Sequence, residues 1–271
     1  MKLIIVFSKI KRKSILAHLA QWRRLQGLTE SLIMTNSSKD SAPAIALDMR
    51  IIPVTPFSQN CTLLWDKNTM EGVLIDPGGE ADKLMETAKE LGVTVKQMWL
   101  THGHLDHAGG AEDIRDALSI EIIGPHKDDQ FWMDMIEESW AKYGHAGMGR
   151  NCKPDRYLED GDTLSLGGAV FDISHCPGHT PGHVVIHNKD MQIAFVGDVL
   201  FKDSIGRTDF PKGNHQDLLD SITGKLWPLG NGMRFVPGHG PMSSFGQERQ
   251  SNPYVADRVI GKSGANASGP G

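Results

Sequence analysis

Cysteine is scarce: the chain has three, Cys61, Cys152 and Cys176, none in a Cys-x-x-Cys pair. An odd, sparse set argues against a disulfide framework and fits a reducing, cytoplasmic compartment. Each thiol reads as a small buried hydrophobe. Aromatics are few, at 7%, while glycine is frequent, at 30 residues. That balance suits an α/β chain with tight turns rather than a helical bundle. No stretch reaches the ~18 apolar residues of a membrane span. The opening "LIIVF" is too short for a secretory signal core, and "KIKRK" follows almost at once. No G-x-S-x-G nucleophile motif is present. An excess of positive charge is missing too, the formal net charge being −5. Residues 1–48 hold eight Lys/Arg and three acids, so 49–271 carries 20 basic and 30 acidic residues. Such an acidic region disfavours nucleic acid as a partner.

What is present has a clear order. Residues 10–28 have a helical apolar spacing (Ile15, Leu19, Trp22, Leu25) among bases, and no acid precedes Glu30. An organelle transit segment, a membrane-surface helix or a dispensable extension would all look like this. "TNSSKDSAPA" at 35–44 is a polar linker, so residues 1–48 are expected to lie outside the core. Short apolar runs separated by turn residues then alternate with helical stretches from Met49 to about 257, and "GKSGANASGPG" closes the chain as an expected disordered tail over 258–271. The mixture predicts an α/β domain of layered sheets and helices.

The chemistry concentrates in "THGHLDHAGG", at the exit of the strand-like "VTVKQMWL". A His-rich polar loop would look the same in isolation. His102 and His104 can share a direction, because alternate residues share a face, while Asp106 and His107 fall where the chain turns into a helix. Imidazole and carboxylate together suit zinc, iron or manganese. His179 in "CPGHTPGH", Asp198 in "FVGDVLF" and His239 in "VPGHGP" each follow an apolar run. They complete two sets: His102, His104 and His179 for one ion, Asp106, His107 and His239 for a second, with Asp198 able to bridge both.

The combination "THGHLDH", "PGHT", "GDVLF" and "PGHG" resembles the metallo-β-lactamase superfamily, and specifically its glyoxalase II branch. "FSQNC", "IDPGG" and "GDVLFKDSIGRTDFPKG" resemble the short single-domain bacterial hydroxyacylglutathione hydrolases. The resemblance covers about 49–257 and implies a four-layer αββα sandwich with a dinuclear site at one edge of its sheets. It implies two divalent ions, zinc first and iron or manganese as alternatives, and a small-molecule thioester such as S-lactoylglutathione, attacked by a metal-bridging hydroxide. Asp198 and Asp106 are then the carboxylates at the reacting centre.

Around these ligands, Asp76 in "DPGG" is expected to orient a ligand imidazole, or else simply to form a turn. Thr101 and Thr180 neighbour ligands and could brace them. Arg207, in "IGRTDF", matches the region where glyoxalase II enzymes place a basic residue near glutathione, though a plain surface arginine reads as well. The stripe Phe131, Trp132, Met135, Ile136, Trp140 and Tyr143 reads as core packing, with a pocket wall as the alternative. His126, His145, His175, His183, His187 and His215 read as surface or core histidines. Within the same fold, an iron persulfide dioxygenase on His102, His179 and Asp198, or a lactonase or β-lactamase, are the competing activities. The oligomeric state has no signature in the sequence.

Overall fold

Strands buried on both faces read as unbroken apolar runs, and their alternate residues feed different layers. A computed structural model describes residues 45–265, and the helical and linker expectations for residues 1–44 lie outside them. Strands β1 (Leu47–Val54), β2 (Gln59–Asp66), β3 (Glu71–Ile75), β4 (Thr94–Trp99) and β5 (Glu121–Ile123) form one sheet in that order. The first three pair antiparallel, while β3–β4 and β4–β5 are parallel. Parallel pairs need crossovers. Helix α1 (Ala81–Glu90) supplies the first, and α2 (Leu105–Ala108) with α3 (Ala111–Leu118) the second. Helices α4 (Gln130–Met133) and α5 (Ile136–Lys142) form the insert that follows.

The second sheet holds β6 (Thr163–Leu166), β7 (Ala169–His175), β8 (Val184–Asn188) and β9 (Ile193–Gly197). A small hairpin, β10 (Leu200–Phe201) and β11 (Ser204–Ile205), stands apart from it. Strands β12 (Arg234–Pro237) and β13 (Ser243–Ser244) complete the order β13-β12-β9-β8-β7-β6. Helices α6 (His215–Ser221), α7 (Phe245–Ser251) and α8 (Asp257–Ala265) belong to this half.

Three apolar layers hold the stack. In β3, Leu74 packs outward with Leu84 and Ala88 of α1 and Ile114 of α3, while Val73 and Ile75 face the second sheet. In β9, Ile193 and Phe195 face the first sheet, while Ala194 and Val196 pack outward with Leu218, Leu226 and Phe245. Between the sheets, Trp99 meets Phe171 edge-on at 5.5 Å. Each such side chain stabilises by about 1.5–3 kcal/mol when fully buried. The architecture is the αββα sandwich, helices outside two facing sheets.

Two boundaries differ from the sequence reading. The first strand begins at Leu47 rather than Met49, because Leu47 is buried and pairs with Asp66. At the other end, helix α8 covers Asp257–Ala265, where a tail was expected from 258. Val255 and Ile260 anchor that stretch to the outer layer, an attachment that its Gly- and Ser-rich sequence conceals. Among the described residues no helix is long and apolar enough to cross a membrane.

Candidate metal centre

The parallel pairings set the site. Since β3 runs parallel to β4, and β9 to β12, their C-terminal ends deliver Asp76, the His102–His107 segment, Asp198 and His239 at strand exits. The β7–β8 connection adds His179. Of the seven ligand candidates, six are buried and His239 is partly exposed. The ligand atoms of His102, His104 and His179 lie within 4.8 Å of one another, as do those of Asp106, His107 and His239. Asp198 lies between the clusters: Oδ1 is 3.4 Å from His107 Nε2, and Oδ2 is 3.6 Å from His179 Nε2 and 3.7 Å from His239 Nε2.

Hydrogen bonds choose which nitrogen each imidazole presents. His179 Nδ1–H donates to the carbonyl of Arg207 at 2.7 Å, and His239 Nδ1–H to that of Phe57 at 3.2 Å. His107 Nδ1–H donates to Asp76 Oδ2 at 2.9 Å. Thr101 Oγ1–H donates to the same Asp76 oxygen at 2.6 Å, which leaves the hydroxyl to accept from His102 Nδ1–H at 3.1 Å. Four rings therefore turn Nε2 inward. His104 Nδ1 comes within 3.0 Å of the His179 Nε2 so presented. Two ring nitrogens converging this closely suit a shared cation. Nε2 of His102, Nε2 of His107 and Oδ1 of Asp198 are also buried without a hydrogen bond of good geometry. Buried polar atoms left so are costly unless something else satisfies them. The donor set fits two divalent ions.

Electrostatics differ between the two clusters. Burial, then the neighbouring imidazoles, hold His102 well below the ordinary histidine value, and burial does the same for His104. Both rings are thus neutral and available as ligands. For His107, burial pulls down but the Asp198 and Asp106 carboxylates outweigh it and raise the ring. Burial would raise Asp198, yet His107, His179 and His239 hold it well below the usual carboxylate range.

Glycine is required where backbone passes the centre. A Cβ on Gly238 would stand 2.1 Å from Asp198 Oδ1, and one on Gly78 only 1.5 Å from the Asp106 carbonyl.

A cavity of about 880 Å³ opens over the centre. His104, Asp106, His179, Asp198 and His239 form its floor, with Phe57, Trp132, Met135, Tyr143, Phe201 and Phe210 around it. The insert's stripe therefore divides: Ile136 and Trp140 are fully buried core, whereas Trp132, Met135 and Tyr143 line the cavity. Arg207 also reaches the wall, but its guanidinium forms a forked pair with Asp209 at 2.7 and 2.6 Å and lies 4.2 Å over the Phe210 ring. Its backbone carbonyl, not its charge, touches a candidate ligand.

A sequence model of the Metallo-beta-lactamase superfamily matches residues 54–239. The chain belongs to this superfamily. It is 42% identical over 210 residues to the hydroxyacylglutathione hydrolase GloC of Haemophilus influenzae, covering 77% of this chain and 98% of that protein. Among solved structures it is similar to the BLEG-1 B3 metallo-beta-lactamase, with TM-score 0.71 and 34% identity over 76% of this chain and 99% of that one. It is also similar to TTHA1623 in a di-iron-bound form, with TM-score 0.69 and 32% identity over 76% of this chain and 100% of that one. The superfamily's sandwich is the αββα stack described above.

Three residues without a role in the sequence reading belong to the centre. His183 is fully buried, stacks on His102 with centroids 4.5 Å apart, and accepts from the Asp198 backbone N–H at 3.0 Å. Its place in "PGHTPGH", four residues after His179, was the available signal. Gln59, in "FSQNC", is fully buried with its amide 3.4 Å from His107 Nδ1. Asp129 accepts from Gly103 N–H, Thr180 Oγ1–H and Gly182 N–H. Nothing in "KDDQFW" separates it from a surface acid.

Proposed function

We propose that the chain is a dinuclear metal-dependent hydrolase of thioesters, of which S-lactoylglutathione is the representative substrate. The observation that carries the reading is Asp198, whose two oxygens face one histidine cluster and the other at 3.4–3.7 Å. His102, His104 and His179 would hold one ion, Asp106, His107 and His239 the other, and Asp198 would serve both. Zinc is the expected metal, with iron or manganese able to use the same donors. Bound divalent ions supply Lewis acidity, making water a nucleophile at neutral pH and polarising a carbonyl oxygen.

The chain's own groups do the rest. Asp76, Thr101 and the Arg207 and Phe57 carbonyls fix the imidazoles before substrate arrives. The aromatic cavity wall shields the reacting carbonyl from bulk water, and Lys202 in its lining favours an anionic thiol carrier. A thiolate departs without a proton donor, so the chain need place no general acid beside it. The similarity to GloC supports the thioester class, and three free buried thiols support a cytoplasmic setting.

The test is a substrate panel on protein of measured metal content: S-D-lactoylglutathione, a lactone, a penam, and a persulfide with an oxygen electrode. Thioester cleavage that needs two ions per chain is expected. Thiol-dependent oxygen uptake with one iron, or turnover of the penam alone, would overturn the reading.

A further inference from the structure

Asp129 lies outside both ligand clusters, yet it is fully buried. It ends the 3₁₀ turn Lys127–Asp129 and leads directly into α4. Its Oδ2 accepts from Gly103 N–H at 2.9 Å and from Thr180 Oγ1–H at 2.7 Å, and its Oδ1 accepts from Gly182 N–H at 2.6 Å. Gly103 stands between His102 and His104, and Thr180 follows His179. One carboxylate thus joins the two loops that supply the first cluster. The contact is tight on both sides: a Cβ on Gly103 would meet the Asp129 carbonyl oxygen at 2.8 Å, and one on Gly182 its backbone nitrogen at 2.5 Å.

Burial penalises a carboxylate, and three donors answer that penalty here. All three belong to the loops of His102, His104 and His179. None comes from helix α2, which bears His107, or from the exit of β12, which bears His239. Each donor is held by an acceptor at hydrogen-bond distance, so the spacing between the loops follows from the width of one carboxylate.

We propose that Asp129 is a positioning residue: it sets the separation of the two loops that carry His102, His104 and His179, and so tunes the affinity of that cluster's ion apart from its neighbour's. The inference rests on the reading of the two clusters as metal sites.

The test is chelator competition on the full chain with Zn²⁺ or Co²⁺, comparing wild type with Asp129→Asn and Thr180→Val. His104→Ala and His239→Ala assign the two binding steps to their clusters. An asparagine keeps one acceptor oxygen and turns an amide donor toward a donor. Asp129→Asn is therefore expected to weaken the His104-dependent step by about 10- to 100-fold, the scale of lost outer contacts at metal sites, and to leave the His239-dependent step intact. The persistence of that second step also shows that the fold survived. Thr180→Val removes one hydroxyl donor and should weaken the same step by about fivefold, the equivalent of one hydrogen bond; it carries the test where Asp129→Asn does not fold. Wild type showing two steps that both variants leave unchanged, or weaken equally, would overturn the positioning role alone. A wild-type chain that takes up no ion would overturn the reading of the centre and the inference with it.

Discussion

At the scale of single residues, the centre depends on groups whose neighbours leave them one conformation. Asp198→Ala removes the carboxylate that faces both clusters, and turnover is expected to fall to background while the far-ultraviolet circular dichroism stays native. Asp76→Asn keeps an acceptor for Thr101 but turns a donor on His107 Nδ1–H, so kcat/KM for the proposed thioester substrate should drop about 10- to 100-fold. The thiols make a separate prediction. Burial pushes Cys152 and Cys176 up to about 12 and Cys61 well above its ordinary value. Deprotonation therefore falls far above neutrality, and only the thiolate alkylates. Iodoacetamide at pH 8 should leave all three unmodified in the native chain and label all three in denaturant, read by mass spectrometry. The ligand candidates were legible in the sequence because each sits in a Gly- or Pro-marked turn after an apolar run. His183, Gln59 and Asp129 were not, because their roles are set by partners far along the chain: 48 residues for Gln59 with His107, and 26, 51 and 53 for Asp129.

At the scale of elements, the insert shows what a helical stripe can and cannot reveal. Apolar spacing predicts a face, and α5 does bury Ile136 and Trp140. It does not say that the same stretch also turns Met135 and Tyr143 toward a cavity. The two kinds of position should separate under mutation. Trp140 is fully buried and stacks on Phe57 at 5.4 Å, so Trp140→Ala should cost about 3–5 kcal/mol in urea unfolding. Tyr143 is 53% exposed and meets Phe57 edge-on. Tyr143→Ala should leave the unfolding midpoint nearly unchanged and raise KM for substrates with a bulky thiol. The strands were easier to read. Buried on both faces, β8 and β9 are written as the continuous runs "VVIHN" and "IAFVG". Their pairing order was not legible, since β12 reaches β9 only after the hairpin and α6 intervene.

At the scale of the whole molecule, the superfamily match begins at residue 54 and β1 at Leu47. Removing residues 1–44 is accordingly expected to leave kcat and KM for the proposed thioester substrate unchanged. The helix at Asp257–Ala265 makes the opposite prediction for the other end: truncation after Ala256 strips Ile260 from the outer layer and should lower the thermal midpoint.

The two clusters have a further consequence. His102, His104, Asp106 and His107 extend from the first sheet, whereas His179, Asp198 and His239 extend from the second. Each ion would therefore rivet one half of the sandwich to the other. An ion at 100 times its dissociation constant adds about 2.7 kcal/mol to a folded state that alone can bind it. Against a total of about 5–15 kcal/mol for a typical domain, that is a large share. Metal supply would then govern how long each molecule lasts as well as whether it works: a starved cell would lose the protein to proteolysis, and a replete one would keep it.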